Sequence, residues 1–173
     1  YLGLKHKRKV YGMDLSSSSL KLAVEFKDFN SIVNAEFVKA DIFELPFKDE
    51  SVDVVVSNGV LHHTVNTWKA LGHIYTMLKP KGYAVIGLYN RYGRWRTNII
   101  RRVSRTVGRK FLENIEPMKN RKGGIGTNAL KSWINDQYFH PLERSHTYDE
   151  TIKEVRKLNF QILGFIPDIK NYY

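Results

Sequence analysis

Asp14, Asp41 and Asn58 each close an apolar, β-branched run, in "VYGMD", "NAEFVKAD" and "SVDVVVSN". A carboxylate or amide so placed can accept hydrogen bonds from the hydroxyl or amino groups of a ligand, although the same residue types also end strands simply as turn formers. Just beyond Asn58 stand two adjacent histidines, His62 and His63. Imidazole titrates closest to neutrality, so either ring can move a proton or, hydrogen-bonded on both sides, merely hold a loop. His140 and His146 add two more rings, but their separation fits no compact metal-ligand motif, and no metal is expected. The chain contains no cysteine, which removes disulfides, thiolate nucleophiles, cysteine-ligated zinc and iron–sulfur chemistry.

The elements that would position these residues alternate. An apolar strand from Lys9 to Met13 runs up to Asp14, and the serines that follow offer N-caps to a helix whose Leu20, Ala23 and Phe26 would face a core. A second strand through Phe37 and Val38 leads to Asp41, and a third, β-branched and expected to be buried, leads to Asn58. "NTWKALGHIYTMLKPKG" predicts a helix with Trp68, Leu71, Ile74, Tyr75 and Leu78 at helical spacing, stopped by Pro80 and Gly82, and "YAVIGLY" predicts the next strand. Strands alternating with helices imply parallel pairing through right-handed crossovers. The expectation is therefore an α/β fold, a doubly wound, mostly parallel sheet with helices on both faces. In such sheets ligands bind at the carboxyl ends of the strands, where Asp14, Asp41 and Asn58 fall.

With 173 residues one domain is expected over 1–173, and the net charge of +11 favours an anionic partner. Much of the excess lies in 91–110, which carries eight Arg or Lys and no acid. Trp95, Ile99, Val103, Val107 and Phe111 recur there every fourth residue, predicting a basic amphipathic helix whose stripe either packs down or meets an anionic substrate, a membrane surface or nucleic acid. "NRKGGIGTN" at 120–128 predicts a glycine-rich loop, and "DQYFHPLERSHT" an irregular polar segment. In it Asp136, Tyr138, His140 and His146 could contact a substrate, with His146 as a cap-side packing residue the alternative. A last helix opens on a Thr147, Glu150 capping box, and a strand follows from Phe160 to Ile166. No apolar run approaches bilayer length and no signal peptide is evident, so no transmembrane segment and a cytoplasmic location are expected.

In order and spacing, "VYGMDLS", "VKADIFELPFKDESVDVVVSNGVLHH" and "LKPKGYAVIGLYN" resemble the class I S-adenosylmethionine-dependent methyltransferases, particularly the group similar to ubiquinone and menaquinone biosynthesis methyltransferases. The resemblance covers roughly 9–90 and implies S-adenosylmethionine as cofactor. It implies that Asp14 accepts from the ribose hydroxyls and Leu15 packs on adenine, and that Asp41 accepts from the adenine amino group with Ile42 beside it. Asn58, Gly59 and Val60 would lie under the methionine part, with His63 bordering the transferring methyl as a candidate base and His62 orienting its loop. On this reading 1–90 is the cofactor-binding sheet, 91–146 a basic helical cap or substrate insertion, and 147–173 a closing helix and strand, with Tyr89 a candidate substrate contact. The acceptor would be a small molecule or lipid-linked compound.

The resemblance departs in one place: no glycine-rich loop precedes "VYGMDLS", so an N-terminally truncated domain lacking the family's first strand is expected, with cofactor binding by the intact protein if the chain is part of a longer one and weak binding if it is not. The competing expectation is a nucleic-acid-binding module, or a nucleic-acid methyltransferase, using the 91–110 helix. An amino-directed base methyltransferase is disfavoured because "SNGVLHH" replaces an Asn-Pro-Pro-Tyr type sequence, and cytosine C5 chemistry by the absent cysteine. A dehydrogenase is disfavoured by the lack of a glycine fingerprint and of a Tyr-Lys pair.

Overall fold

The computed structural model describes residues 8–108, 112 and 127–166. Two compact units emerge, one formed by 1–53 with 76–82 and the other by 54–75 with 83–173.

In the first unit β1 (Val10–Asp14) pairs in parallel with β2 (Ala35–Lys39), with Val10 opposite Ala35 and Asp14 opposite Lys39. Gly12 faces Phe37, and a Cβ there would come 2.6 Å from the Phe37 ring, so the aromatic side chain occupies the space that glycine leaves. The crossover is α1 (Ser17–Phe29), whose N-cap Ser16 accepts from the backbone N–H of Ser19. Leu20 and Ala23 are half-buried as expected, but Phe26 is 60% exposed. Its helix lies on a sheet of two strands, a floor narrower than the apolar stripe above it.

β3 (Val52–Asn58) and β4 (Leu78–Gly87) form a separate two-stranded sheet. Ser51 N–H donates to Met77 C=O at 3.0 Å and Gly59 N–H to Gly87 C=O at 3.2 Å, so partner numbers rise together and the strands run the same way. Val54 and Val56 are exposed, which corrects the expectation of a buried strand. A β-branched run selects an extended backbone; burial needs a layer to cover it.

In the second unit Leu61, Ala70, Leu71 and Ile74 are fully buried, three of them on α2 (Thr67–Met77). This helix ends three residues before Pro80, since proline disfavours helical geometry in the residue before it and clashes with the carbonyl four back. α3 (Trp95–Val107) follows β4, then α4 (Thr127–Ile134) running into a π-turn at Asn135–Phe139, and α5 (Tyr148–Lys157). A second apolar cluster joins Leu112, Leu130, Ile134 and Tyr138, with Ile100 and Phe139 against it. A parallel bridge between Asn90 and His146 ties the two ends of the 91–146 segment together.

Of the two readings of the α3 stripe, packing down is not the one observed: Trp95, Ile99 and Val103 stay exposed, while Ile100, Arg101 and Ser104 turn inward. Phe160–Ile166 forms no ladder among the described residues, an apolar run without an edge to pair with. Phe111, Lys110 and most of the glycine-rich 120–128 stretch lie outside the described residues, while Thr127 and Asn128 begin α4.

Candidate active site

Asp14 ends β1 and Asp41 follows β2, at the same end of two adjacent parallel strands. Asp14 Oδ1 accepts from Ser16 N–H at 2.8 Å, and Asp41 Oδ1 accepts from Phe43 N–H at 2.9 Å. Each carboxylate is thus oriented through one oxygen by an amide two residues ahead. Its second oxygen keeps two lone pairs that no hydrogen bond among the described residues takes up. Leu15, beside Asp14, is exposed, and Ile42, beside Asp41, is half-buried.

Asn58 ends β3 with its side chain lying over Gly87, where any Cβ would collide with Asn58 Oδ1. The next residue, Gly59, has φ of +80° and nothing within 4 Å of the position a Cβ would take. Left-handed backbone there suits glycine, and the open space beside it is a place where a ligand can approach main chain closely. Val60 follows, exposed.

The 3₁₀ turn Leu61–His63 then delivers both histidines into a cluster of rings. Fully buried His62 stacks on Tyr89 with centroids 3.8 Å apart, while His63 lies 4.3 Å from His62 and 3.9 Å from His140. His63 Nδ1 is 2.9 Å from the carbonyl oxygen of Leu142. Since a carbonyl can only accept, this partner assigns the proton to Nδ1 and leaves Nε2 as the lone-pair nitrogen of the neutral ring. His140 Nδ1 lies against the same carbonyl.

Around these rings is a network that the sequence reading did not find. Glu143, with its side chain only 2% exposed, receives Arg94 and Arg101, each at 2.9 Å. Arg94 also donates to Gln137 and stacks over Tyr89 at 4.0 Å, while Gln137 donates to the Tyr89 hydroxyl at 3.3 Å. Arg101 donates to the His140 carbonyl at 2.7 Å. One carboxylate therefore pins the 137–146 segment to α3. The available signal was a lone Glu in "HPLERSH" facing a helix with no acid.

The structure gathers His63, Tyr89 and His140, whereas Tyr138 and His146 are buried, His146 taking the packing alternative. Tyr138 is buried in the apolar cluster with Leu130 and Ile134, so its ring is packing. His146 is buried with Nδ1 2.9 Å from Glu150 Oε1 and Nε2 3.1 Å from Thr67 Oγ1, so both nitrogens serve the fold. Asp136 lies in the π-turn. Burial disfavours the charge on Glu150, but the His146 hydrogen bond and charge, the Thr147 amide and Arg91 together outweigh it and hold the carboxyl below its ordinary value. Thr147 caps α5 by accepting from Glu150 N–H at 3.1 Å, while the Glu150 side chain turns to His146 and Arg91, leaving the box half-formed.

Parallel β-α-β pairing marks an α/β domain, a class in which ligands bind at the carboxyl ends of the strands, where the two oriented carboxylates stand. Residues 1–86 match the family described as the methyltransferase domain, and through them the chain belongs to the class I S-adenosylmethionine-dependent methyltransferases. The chain is 31% identical over 125 residues to phosphoethanolamine N-methyltransferase 2 of Caenorhabditis elegans, covering 69% of this chain and 28% of that protein. It is 28% identical over 130 residues to the phthiotriol/phenolphthiotriol dimycocerosates methyltransferase of Mycobacterium tuberculosis, covering 73% and 45%. The chain thus spans less than half the length of these relatives. Among solved structures, PKMT2 from Rickettsia typhi superposes with a TM-score of 0.74 at 20% identity, over 94% of this chain and 36% of that one. A putative methyltransferase from Bacillus halodurans C-125 does so at 0.57 and 19%, over 89% and 54%. Both likenesses speak for the fold alone. The family's cofactor is S-adenosylmethionine, and the free acceptor oxygens of the oriented Asp14 and Asp41 carboxylates suit the hydroxyl and amino groups of its nucleoside part.

Proposed function

We propose that this chain transfers the methyl group of S-adenosylmethionine to a small-molecule or lipid-linked acceptor. The supporting observation is the pair of oriented carboxylates, Asp14 and Asp41, at the ends of adjacent parallel strands inside the segment that matches the methyltransferase family. Asp14 accepts from the ribose hydroxyls and Asp41 from the adenine amino group, with Leu15 and Ile42 against the base. Asn58, Gly59 and Val60 carry the methionine end, where main chain at Gly59 is open to close approach.

When bound, the cofactor supplies a methyl group already activated on a sulfonium, so alignment accounts for much of the rate. His63 takes a proton from the acceptor through Nε2, its Nδ1–H held by the Leu142 carbonyl. Tyr89 and His140, in contact with the His62 and His63 rings, form the acceptor side of this base. Tyr138 and His146 position the segment that carries them. Relatives named for phosphoethanolamine and for phthiotriol and phenolphthiotriol dimycocerosates support an acceptor drawn from small polar or lipid molecules.

Equilibrium dialysis of the chain against methyl-labelled S-adenosylmethionine tests the reading. Saturable retention, competed by S-adenosylhomocysteine, is expected. Retention no greater than that of an unrelated protein of similar charge would contradict it.

A further inference from the structure

The arginines of α3 divide into two sets by what they touch. Arg101, with Arg94 at the helix N-cap, is spent on buried Glu143. Arg96 and Arg102 are exposed and make no ion pair among the described residues. At about 100° per residue, Trp95, Ile99 and Val103 form one stripe, with Arg102 along one margin and Arg96 along the other. The exposures agree: Trp95 is 60% exposed, Ile99 51% and Val103 48%. Tyr92, also exposed, extends the stripe at the N-terminal end, and Arg91, Tyr92, Trp95, Asn98, Ile99 and Arg102 line an open depression on this face.

Three large apolar side chains held in a row gain nothing from water, and covering them removes apolar area from solvent, which is favourable. The charge around them selects the cover. No acid occurs anywhere in α3, so the partner is anionic; the stripe between the cations is apolar, so the partner is also oily. An aromatic and aliphatic ridge flanked by arginines is the form of a helix that lies in the headgroup layer of a bilayer. Trp and Tyr at one end suit that depth, where an amphipathic ring has one wet side. A nucleic acid would use the arginines but would leave Ile99 and Val103 without a partner.

We propose that the outer face of α3 docks on an anionic lipid bilayer, Trp95, Ile99 and Val103 entering the headgroup layer and Arg96 and Arg102 meeting acidic headgroups. The inner face of the same helix holds the Tyr89, His63 and His140 rings through Arg94 and Arg101. Docking therefore brings that cluster to about one helix diameter, ~10 Å, from the lipid. The proposal depends on no bound cofactor and stands apart from the methyl-transfer reading.

Vesicle flotation with the full chain tests it, using phosphatidylcholine vesicles with and without phosphatidylglycerol. Flotation with the acidic vesicles alone, accompanied by a blue shift of tryptophan emission that Trp95→Phe removes, is expected. Replacing both Arg96 and Arg102 by Gln lowers the partition coefficient about 30-fold, from about a fivefold effect per cation at the surface. Ile99→Asp removes flotation while leaving the circular dichroism spectrum unchanged, since the residue is exposed. Equal flotation of wild type and Ile99→Asp would overturn the proposal. So would failure to float with acidic vesicles, or retention by duplex RNA that Ile99→Asp leaves unchanged while wild type ignores vesicles.

Discussion

His63 has one nitrogen to spare. The Leu142 carbonyl occupies Nδ1, so Nε2 is the site at which the neutral ring can take a proton. His63→Gln is expected to lower methyl transfer by about 10²-fold or more, while the affinity for S-adenosylmethionine, read by dialysis, stays within a factor of two or three of wild type. Equal losses of binding and turnover would make His63 a structural residue. A different titration belongs to Glu150. Its carboxyl is held below the ordinary 4.5 in the folded chain, so the folded state binds its proton less readily than the unfolded state. The stability this contributes is complete above about pH 4.5 and is lost as pH falls through the lower folded value. Acid unfolding followed by circular dichroism should show a shallower decline in Glu150→Gln than in wild type over that window.

Among the ties between α3 and the 137–146 segment, Glu143 is the buried acid that two arginines share. Removing one partner of a buried ion pair commonly costs about 3–5 kcal/mol, because the remaining charge is left uncompensated. Glu143→Ala strands two guanidiniums, and thermal unfolding should fall steeply. Glu36→Gln, which breaks an exposed pair with Lys9, should leave the midpoint almost unchanged. Helices and their caps were largely readable at this scale: the serine run supplies a cap in Ser16, and Thr147 caps α5 as its spacing implied, although the Glu150 half of the box goes to His146. Which face of α3 turns inward was not. The regular apolar stripe of Trp95, Ile99 and Val103 left packing and partner contact both open, and the inward side carries Arg101 to Glu143, more than forty residues away in sequence, which no local period encodes.

For the whole molecule, the β-α-β order and the strand-end acids were legible because period, capping and turn residues are local properties of the chain. The pairing of β1 with β2 and of β3 with β4 as two separate two-stranded sheets was not, since strand neighbours are chosen by long-range packing. Nor were the exposed Val54 and Val56, the Phe160–Ile166 run that forms no ladder among the described residues, or the inward turn of Tyr138, all of which depend on what else covers them. The functional reading rests on two carboxylates that the same unit holds at neighbouring strand ends. Calorimetric titration of S-adenosylhomocysteine into wild type, Asp14→Asn and Asp41→Asn tests that most directly. A hydrogen bond to a charged group is worth about 1.5–3 kcal/mol, so each variant should bind about 10- to 100-fold more weakly with its circular dichroism unchanged. Affinities equal to wild type in both variants would contradict the account.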